Sequence, residues 1–170
     1  MRGQKTDVGS GLCPIGRSLA VVGEWWSLLI VRDALQGRQR FSEFQKSLGI
    51  AKNILSARLK KLVDCGILRV ETVSGSPSMS RYVLTDRGRE LHVVLVALSQ
   101  WGGDHCFEPT ENRMCVTDQL GKPLPKLRVT DNRGQALHPE QVQIALATVP
   151  RRKQSAKRSE DHPSNTGEKS

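Results

Sequence analysis

Arg40-Phe41-Ser42-Glu43-Phe44-Gln45-Lys46-Ser47-Leu48-Gly49-Ile50-Ala51-Lys52-Asn53-Ile54-Leu55-Ser56-Ala57-Arg58-Leu59-Lys60-Lys61-Leu62 reads as two helices joined by a tight turn. Phe41, Phe44 and Leu48 fall three to four residues apart behind Ser42 as N-cap, and Gly49 supplies the backbone freedom at which a helix stops. Ile50 restarts the apolar series. Leu55, Leu59 and Leu62 then recur at i, i+4 and i+7 as one buried stripe, which throws Lys52, Asn53, Ser56 and Lys60 onto the opposite face. From Arg38 to Lys61 there are seven Lys/Arg against one acid, Glu43, a surplus that a merely solvated surface does not need. Two readings stand: a helical hairpin with an ordinary charged exterior, or a helix-turn-helix whose second helix enters a DNA major groove.

The elements on either side favour the second reading. Upstream, Cys13-Pro14 opens a helix on which Ile15, Leu19 and Val22 share a face, and Gly23 ends it. A second helix, expected to be buried on most sides, runs from about Trp25 to Leu35 and stops at Gly37. Downstream, Asp64-Cys65-Gly66 stops the basic helix, and Ile67 to Val73 is a β-branched strand. Ser74 to Ser80 is turn-forming, and Arg81 to Thr85 returns as a second strand. A hairpin in that place is either purely structural or the wing of a winged helix, where Arg81 could reach phosphate or the minor groove. Thr85 then caps another helix carrying Leu91, Val94, Leu95, Leu98 and Trp101 at three- and four-residue spacing. That stripe serves either packing within the chain or the seam of a homodimer. The dimer is expected, because two-fold DNA readers need a partner surface.

The 170 residues hold one core of about 100 residues plus an appendage. The fold class expected is mainly α with small β: a winged helix-turn-helix domain over 12–107 behind a frayed N-terminus (1–11), a long C-terminal dimerisation helix, a small β appendage of short strands (108–149), and a disordered basic tail (150–170). The formal net charge of +9 points to a polyanionic partner. No apolar run reaches a membrane span of about 18–20 residues, and no signal-peptide core follows Met1, so a cytoplasmic protein is expected. Cys13, Cys65, Cys106 and Cys115 form no CxxC pair, and His92, His105, His138 and His162 lack ligand spacing, so neither metal nor disulfide is indicated. Paired carboxylates, a nucleophile–base pair and a phosphate loop are missing too. No enzyme and no cofactor are expected.

Cys13-Pro14, Gly23-Glu24-x-Trp26-Ser27-Leu28-Leu29-Ile30-x-Arg32-Asp33, Arg40-Phe41-x-Glu43, Gly49-Ile50, Leu55-x-x-x-Leu59-x-x-Leu62, Gly66-Ile67-Leu68, Tyr82-x-Leu84-Thr85-x-x-Gly88 and Leu98-x-x-Trp101 together resemble the HxlR-type transcriptional regulators over residues 12–107. The resemblance implies a winged helix-turn-helix homodimer, built from its N-terminal and C-terminal helices, that regulates transcription at operator DNA. It also implies, for some members, thiol sensing at the position of Cys13. Three residues depart from the pattern: Trp25 stands where Arg or Lys is frequent, Ala51 where a Ser commonly caps the recognition helix, and Arg81 where an acid is frequent. In some relatives the segment after the long helix resembles a cysteine-rich ribbon; Cys106 and Cys115 here lack the matching pair.

The expected site follows. Lys52, Asn53 and Ser56 are candidates for base edges, and Arg40, Ser42, Lys46, Arg58, Lys60, Lys61 and Arg81 for phosphates, although some of these cations are alternatively fold supports. Ile15, Leu19, Leu91, Val94, Leu95, Leu98 and Trp101 are the candidate dimer interface. Cys13, at a helix N-terminus, is either a thiol sensor or a small residue at the dimer contact. The expected function is a DNA-binding transcriptional regulator, a repressor on a pseudo-palindromic operator, answering to a small molecule or to thiol oxidation. The alternative is a winged-helix module for protein–protein contact, its basic face serving solubility.

Overall fold

The structure, a computed structural model, describes residues 11–72 and 80–146. Expectations for residues 1–10, the hairpin tip at 73–79 and residues 147–170 lie outside the described residues. Among the described residues, six α-helices, a two-stranded antiparallel sheet and a 3-10 turn at Pro139–Gln141 form, with the elements up to the sheet in the expected order: α1 Pro14–Val22, α2 Trp25–Leu35, α3 Phe41–Leu48, α4 Lys52–Asp64, β1 Leu68–Thr72, β2 Ser80–Leu84, α5 Asp86–Glu90 and α6 His92–His105. Leu68 pairs with Leu84, Val70 with Tyr82 and Glu71 with Arg81.

The core is the sum of the predicted stripes. Leu55, Leu59 and Leu62 of α4 are wholly buried with Ile30 and Val31 of α2 and Phe44 of α3, and Ile50, Ile67, Leu68 and Leu84 close the ends. Gly49 caps α3 in the left-handed region at φ 64°, where a side chain would be strained, and this reverses the chain into α4. Gly88 is required for a different reason: a Cβ there would lie 2.2 Å from the Ile67 carbonyl oxygen, so α5 seats its backbone directly on the entry to β1. Thr85 caps α5 as predicted, its Oγ1 accepting from the Gly88 amide at 3.1 Å.

Three expectations need correction. Ser42 is not the cap of α3. Arg40 holds that position, because the Glu43 carboxylate reaches back to accept from the amides of Gln39 (2.8 Å) and Arg40 (2.9 Å), which fixes the helix start one residue before Phe41. The single helix expected after Thr85 is two, divided at Leu91. Its apolar stripe divides likewise: Leu91 and Leu95 pack against the core, whereas Val94, Leu98 and Trp101 stay exposed. As expected, α2 is buried on most sides and enters the core through Ile30 and Val31. Trp25 at its start is exposed, while Asp33 is fully buried, its Oδ1 accepting from Arg32 Nε (3.0 Å) and Nη2 (2.8 Å).

The strands expected in 108–149 shrink to two single antiparallel bridges, Thr117 with Pro123 and Thr130 with Ala136. The reason is a turn made twice. Val116-Thr117-Asp118-Gln119-Leu120-Gly121-Lys122-Pro123-Leu124 and Val129-Thr130-Asp131-Asn132-Arg133-Gly134-Gln135-Ala136-Leu137 share Val, Thr, Asp, Gly and Leu at matching places. In each, one Asp Oδ1 accepts two turn amides, those of Leu120 and Lys122 in the first copy and of Arg133 and Gln135 in the second, all at 2.8–2.9 Å. The Asp amide donates back across the turn, to Lys122 O and Gln135 O respectively, and the glycine three residues on has φ 75° or 81°. Prolines at 123 and 125 limit further ladder bonds.

Two compact units divide between Leu127 and Arg128, so the first copy of the turn belongs with the helices. It is held there by the Gln100 amide, which donates to Pro125 O and accepts from Leu127 N, both at 2.8 Å, in the manner of a neighbouring strand. Lys126 forms an ion pair with Asp104 one turn further along α6, and this hydrogen bond holds the Asp104 carboxyl below the usual carboxylate range.

Candidate nucleic-acid interface

Because α4 turns its leucines inward, the opposite face is displayed. Lys52, Asn53, Ser56, Ala57 and Lys60 are all exposed, and no acid lies in the first turn of the helix. Ala51 sits at the N-cap in an extended conformation and gives no side-chain bond to the helix. Asp64 at the far end of the helix pairs with Lys60, and Glu43 on the preceding helix is turned back onto its own backbone: the Gln39 and Arg40 amides lower its pKa, with Arg40 and Arg38 adding attraction. The negative charge of Glu43 is therefore engaged as a cap.

The candidate phosphate contacts have different situations. Arg40, Ser42 and Lys46 are exposed on and before α3, and Lys61 is half-buried on α4. Arg58 is committed to the fold. Its Nη2 lies 3.3 Å from Glu24 Oε2 and its side chain is only 24% exposed, so it ties α4 to the start of α2. Lys60 reaches Asp64 one turn on, at 2.7 Å, but both side chains are in solvent and such a pair is readily exchanged. Arg81 is half-buried on β2 opposite Glu71, whose Oε1 is already held by Arg69 Nη2 at 2.6 Å.

Sequence reasoning missed what joins these pieces. The Tyr82 amide donates to Gln39 O at 2.8 Å, which fixes the base of the hairpin against the residue that leads into α3. Tyr82 and its cross-strand partner Val70 then line, with Phe41, Val63, Ser56 and Lys60, a groove of about 300 Å³ between the hairpin and α4. The only sequence signal for it was an aromatic next to a β-branched residue on a short hairpin, which any structural hairpin also shows. Arg69, paired to Glu71 on β1, was likewise not singled out.

The remaining candidates lie elsewhere. Cys13 is the exposed N-cap of α1 and makes no side-chain cap bond. Ile15 and Leu19 are exposed on α1, and Trp101 on α6 is 61% exposed with its ring against His105. Among the described residues no group of His, Cys, Asp and Glu suits a metal ion, and no helix is long and apolar enough to cross a membrane.

Comparison with known proteins agrees with this geometry. The HxlR-like helix-turn-helix family profile matches residues 21–110. The uncharacterized HTH-type transcriptional regulator Rv3095 of Mycobacterium tuberculosis is 41% identical over 95 residues, which are 56% of this chain and 60% of that protein. The chain thus matches less than two thirds of that relative's length. The crystal structure of PA1607 is 45% identical, with a TM-score of 0.77 over 82% of this chain and 99% of that one, a likeness wider than the profile match. The redox regulator HypR in its reduced form is 27% identical, with a TM-score of 0.52 over 55% of this chain and 94% of that one.

Proposed function

Because this chain belongs to the HxlR-like helix-turn-helix family, we propose that it is a DNA-binding transcriptional regulator that acts as a homodimer on a two-fold operator. The observation that carries the proposal is the outer face of α4, where Lys52, Asn53 and Ser56 stand exposed above a fully buried leucine stripe. A helix so held can enter a major groove without unfolding anything.

In this reading Lys52, Asn53 and Ser56 meet base edges. Asn53 suits adenine, whose N6 and N7 match its carbonyl and amide. Arg40, Ser42, Lys46, Lys60, Lys61 and Arg81 meet phosphates, and the groove beside Tyr82 admits the backbone that passes between α4 and the hairpin. Arg58 serves as the strut that sets the tilt of α4, through Glu24. The partner surface is the exposed apolar set of Ile15 and Leu19 on α1 with Val94, Leu98 and Trp101 on α6; Leu91 and Leu95 support it from beneath. Two-fold pairing there would set two copies of α4 one duplex turn apart, about 34–36 Å. Repression is the simplest outcome of such occupancy. HypR is a redox regulator, and thiol oxidation at exposed Cys13 is a second input consistent with its place on the dimer helix.

Gel retardation across a salt series tests the reading. Lys60→Ala is expected to weaken every duplex alike and to flatten the salt slope by roughly one unit per dimer half. Asn53→Ala is expected to relax sequence preference by ~1–3 kcal/mol with the slope unchanged. Wild-type protein that retards no duplex at low salt would leave only the protein-contact role for this fold.

A further inference from the structure

A cleft of about 520 Å³ opens between α1, α5 and the residue that leads into β1. Its size lies within the range of small-molecule sites, about 300–1,000 Å³. The floor is apolar: Val21 and Val22 from α1, Ile67, and Leu91 from the α5–α6 junction. Two guanidinium groups stand at its rim, and each is anchored through a single nitrogen. Arg17 Nε donates to Gly11 O at 2.7 Å, and Arg87 Nη1 donates to Cys65 O at 3.0 Å. Neither has an acidic partner within ion-pair distance among the described residues, so each keeps N–H groups for a ligand. Glu90 at the same rim offsets one of the two charges. The lining thus combines a small apolar chamber with one net positive charge.

We propose that this cleft binds an amphipathic organic monoanion, an aromatic or short-chain carboxylate, whose apolar body rests on Val21, Val22, Ile67 and Leu91 and whose carboxylate is shared by Arg17 and Arg87. Charge complementarity points to this occupant, since the lining sets one net positive charge beside an apolar floor. If the regulator reading holds, on which this consequence rests, occupancy links α1, a dimer element, to the hinge where Gly88 seats on Ile67 at the base of the hairpin. A ligand that bridges the two would alter the separation of the two copies of α4 and so operator affinity.

The full-length protein is titrated with 2-naphthoate, 2-naphthamide and inorganic phosphate, following the methyl NMR signals of Val21 and Ile67. Saturable shifts are expected with the naphthoate only, weakened at least tenfold in Arg17→Gln and again in Arg87→Gln, both exposed positions, with an unchanged thermal melt of each variant showing that its fold is intact. Equal binding of the neutral amide, binding unaffected by both variants, or shifts that appear only when the dimer is diluted apart would overturn the proposal, the last by marking the cleft as a seat for a second copy. Gel retardation run on the same samples separates the two claims: absent DNA binding in unliganded protein sinks the regulator reading and leaves the site standing, whereas absent naphthoate binding sinks the site alone.

Discussion

The helical core and the chain that follows α6 are ordered by opposite means. In the core, side chains that are dozens of residues apart leave solvent together: Ile30, Phe44, Leu55, Leu59, Leu62 and Leu68 are all but fully buried. From Phe107 to Leu146 no residue is buried, and shape comes from within a few residues, from Asp118 and Asp131 each gathering the amides of its own turn. The lesson is that an ordered backbone needs no core when a short polar side chain satisfies it locally. Such order is worth little to global stability, because water competes for the same bonds.

This contrast can be broken by experiment. The largest effect is expected from Leu59→Ala, which empties a wholly buried site and should cost 2–5 kcal/mol in urea unfolding, about as Leu→Ala changes do in other cores. A cost under about 1 kcal/mol would mean that the core does not dominate. Ala51→Ser adds the missing cap to α4 and should raise stability by about 1 kcal/mol; a thermal melt with no gain would show that the α4 N-terminus is already satisfied by other means. Asp118→Ala and Asp131→Ala should each leave the global midpoint within about 0.5 kcal/mol. Each should nevertheless speed hydrogen exchange at the amides of its own turn, and only there. Protection lost in both turns from one substitution would show that the copies are coupled.

The smallest effect concerns Glu43, which does with a carboxylate in the core domain what Asp118 and Asp131 do further on. Its pKa is lowered by the Gln39 and Arg40 amides. A depressed folded value contributes stability that is complete above the ordinary carboxylate range and is lost as pH falls through the lower folded value. Glu43→Gln should therefore differ from wild type at neutral pH and converge with it only as pH falls below the lowered folded value. Curves that stay parallel to the acid end would show that the capping bond does not depend on the charge.

Most helix boundaries were legible because they are local. Gly49, Thr85 and the i, i+4, i+7 leucines act within one or two turns, and each does in the structure what its spacing implied. Where reading failed, the deciding partner lay at a distance or between competing local choices. Ser42 was a good cap in isolation but lost to a carboxylate three residues past Arg40. The stripe on α6 carried no mark of which leucines α2 would cover, so Leu91 and Leu95 could not be told from Leu98. The turn repeated at Asp118 and Asp131 was present in the letters, but its two copies were divided among short apparent strands.

The order of elements, the polar face of the second helix of the pair and its excess of cations follow from the sequence by itself, since periodicity and turn chemistry depend on neighbours along the chain. Which cations remain available was decided only in three dimensions. Arg58 and Lys52 are equivalent as letters, yet one is held by Glu24 and the other is exposed. The same holds for the cleft lined by Arg17 and Arg87, which are seventy residues apart and share it because α5 seats on the entry to β1. A side chain's intrinsic chemistry is written in its residue type, but its exposure and its partner are set by whichever segment packs beside it.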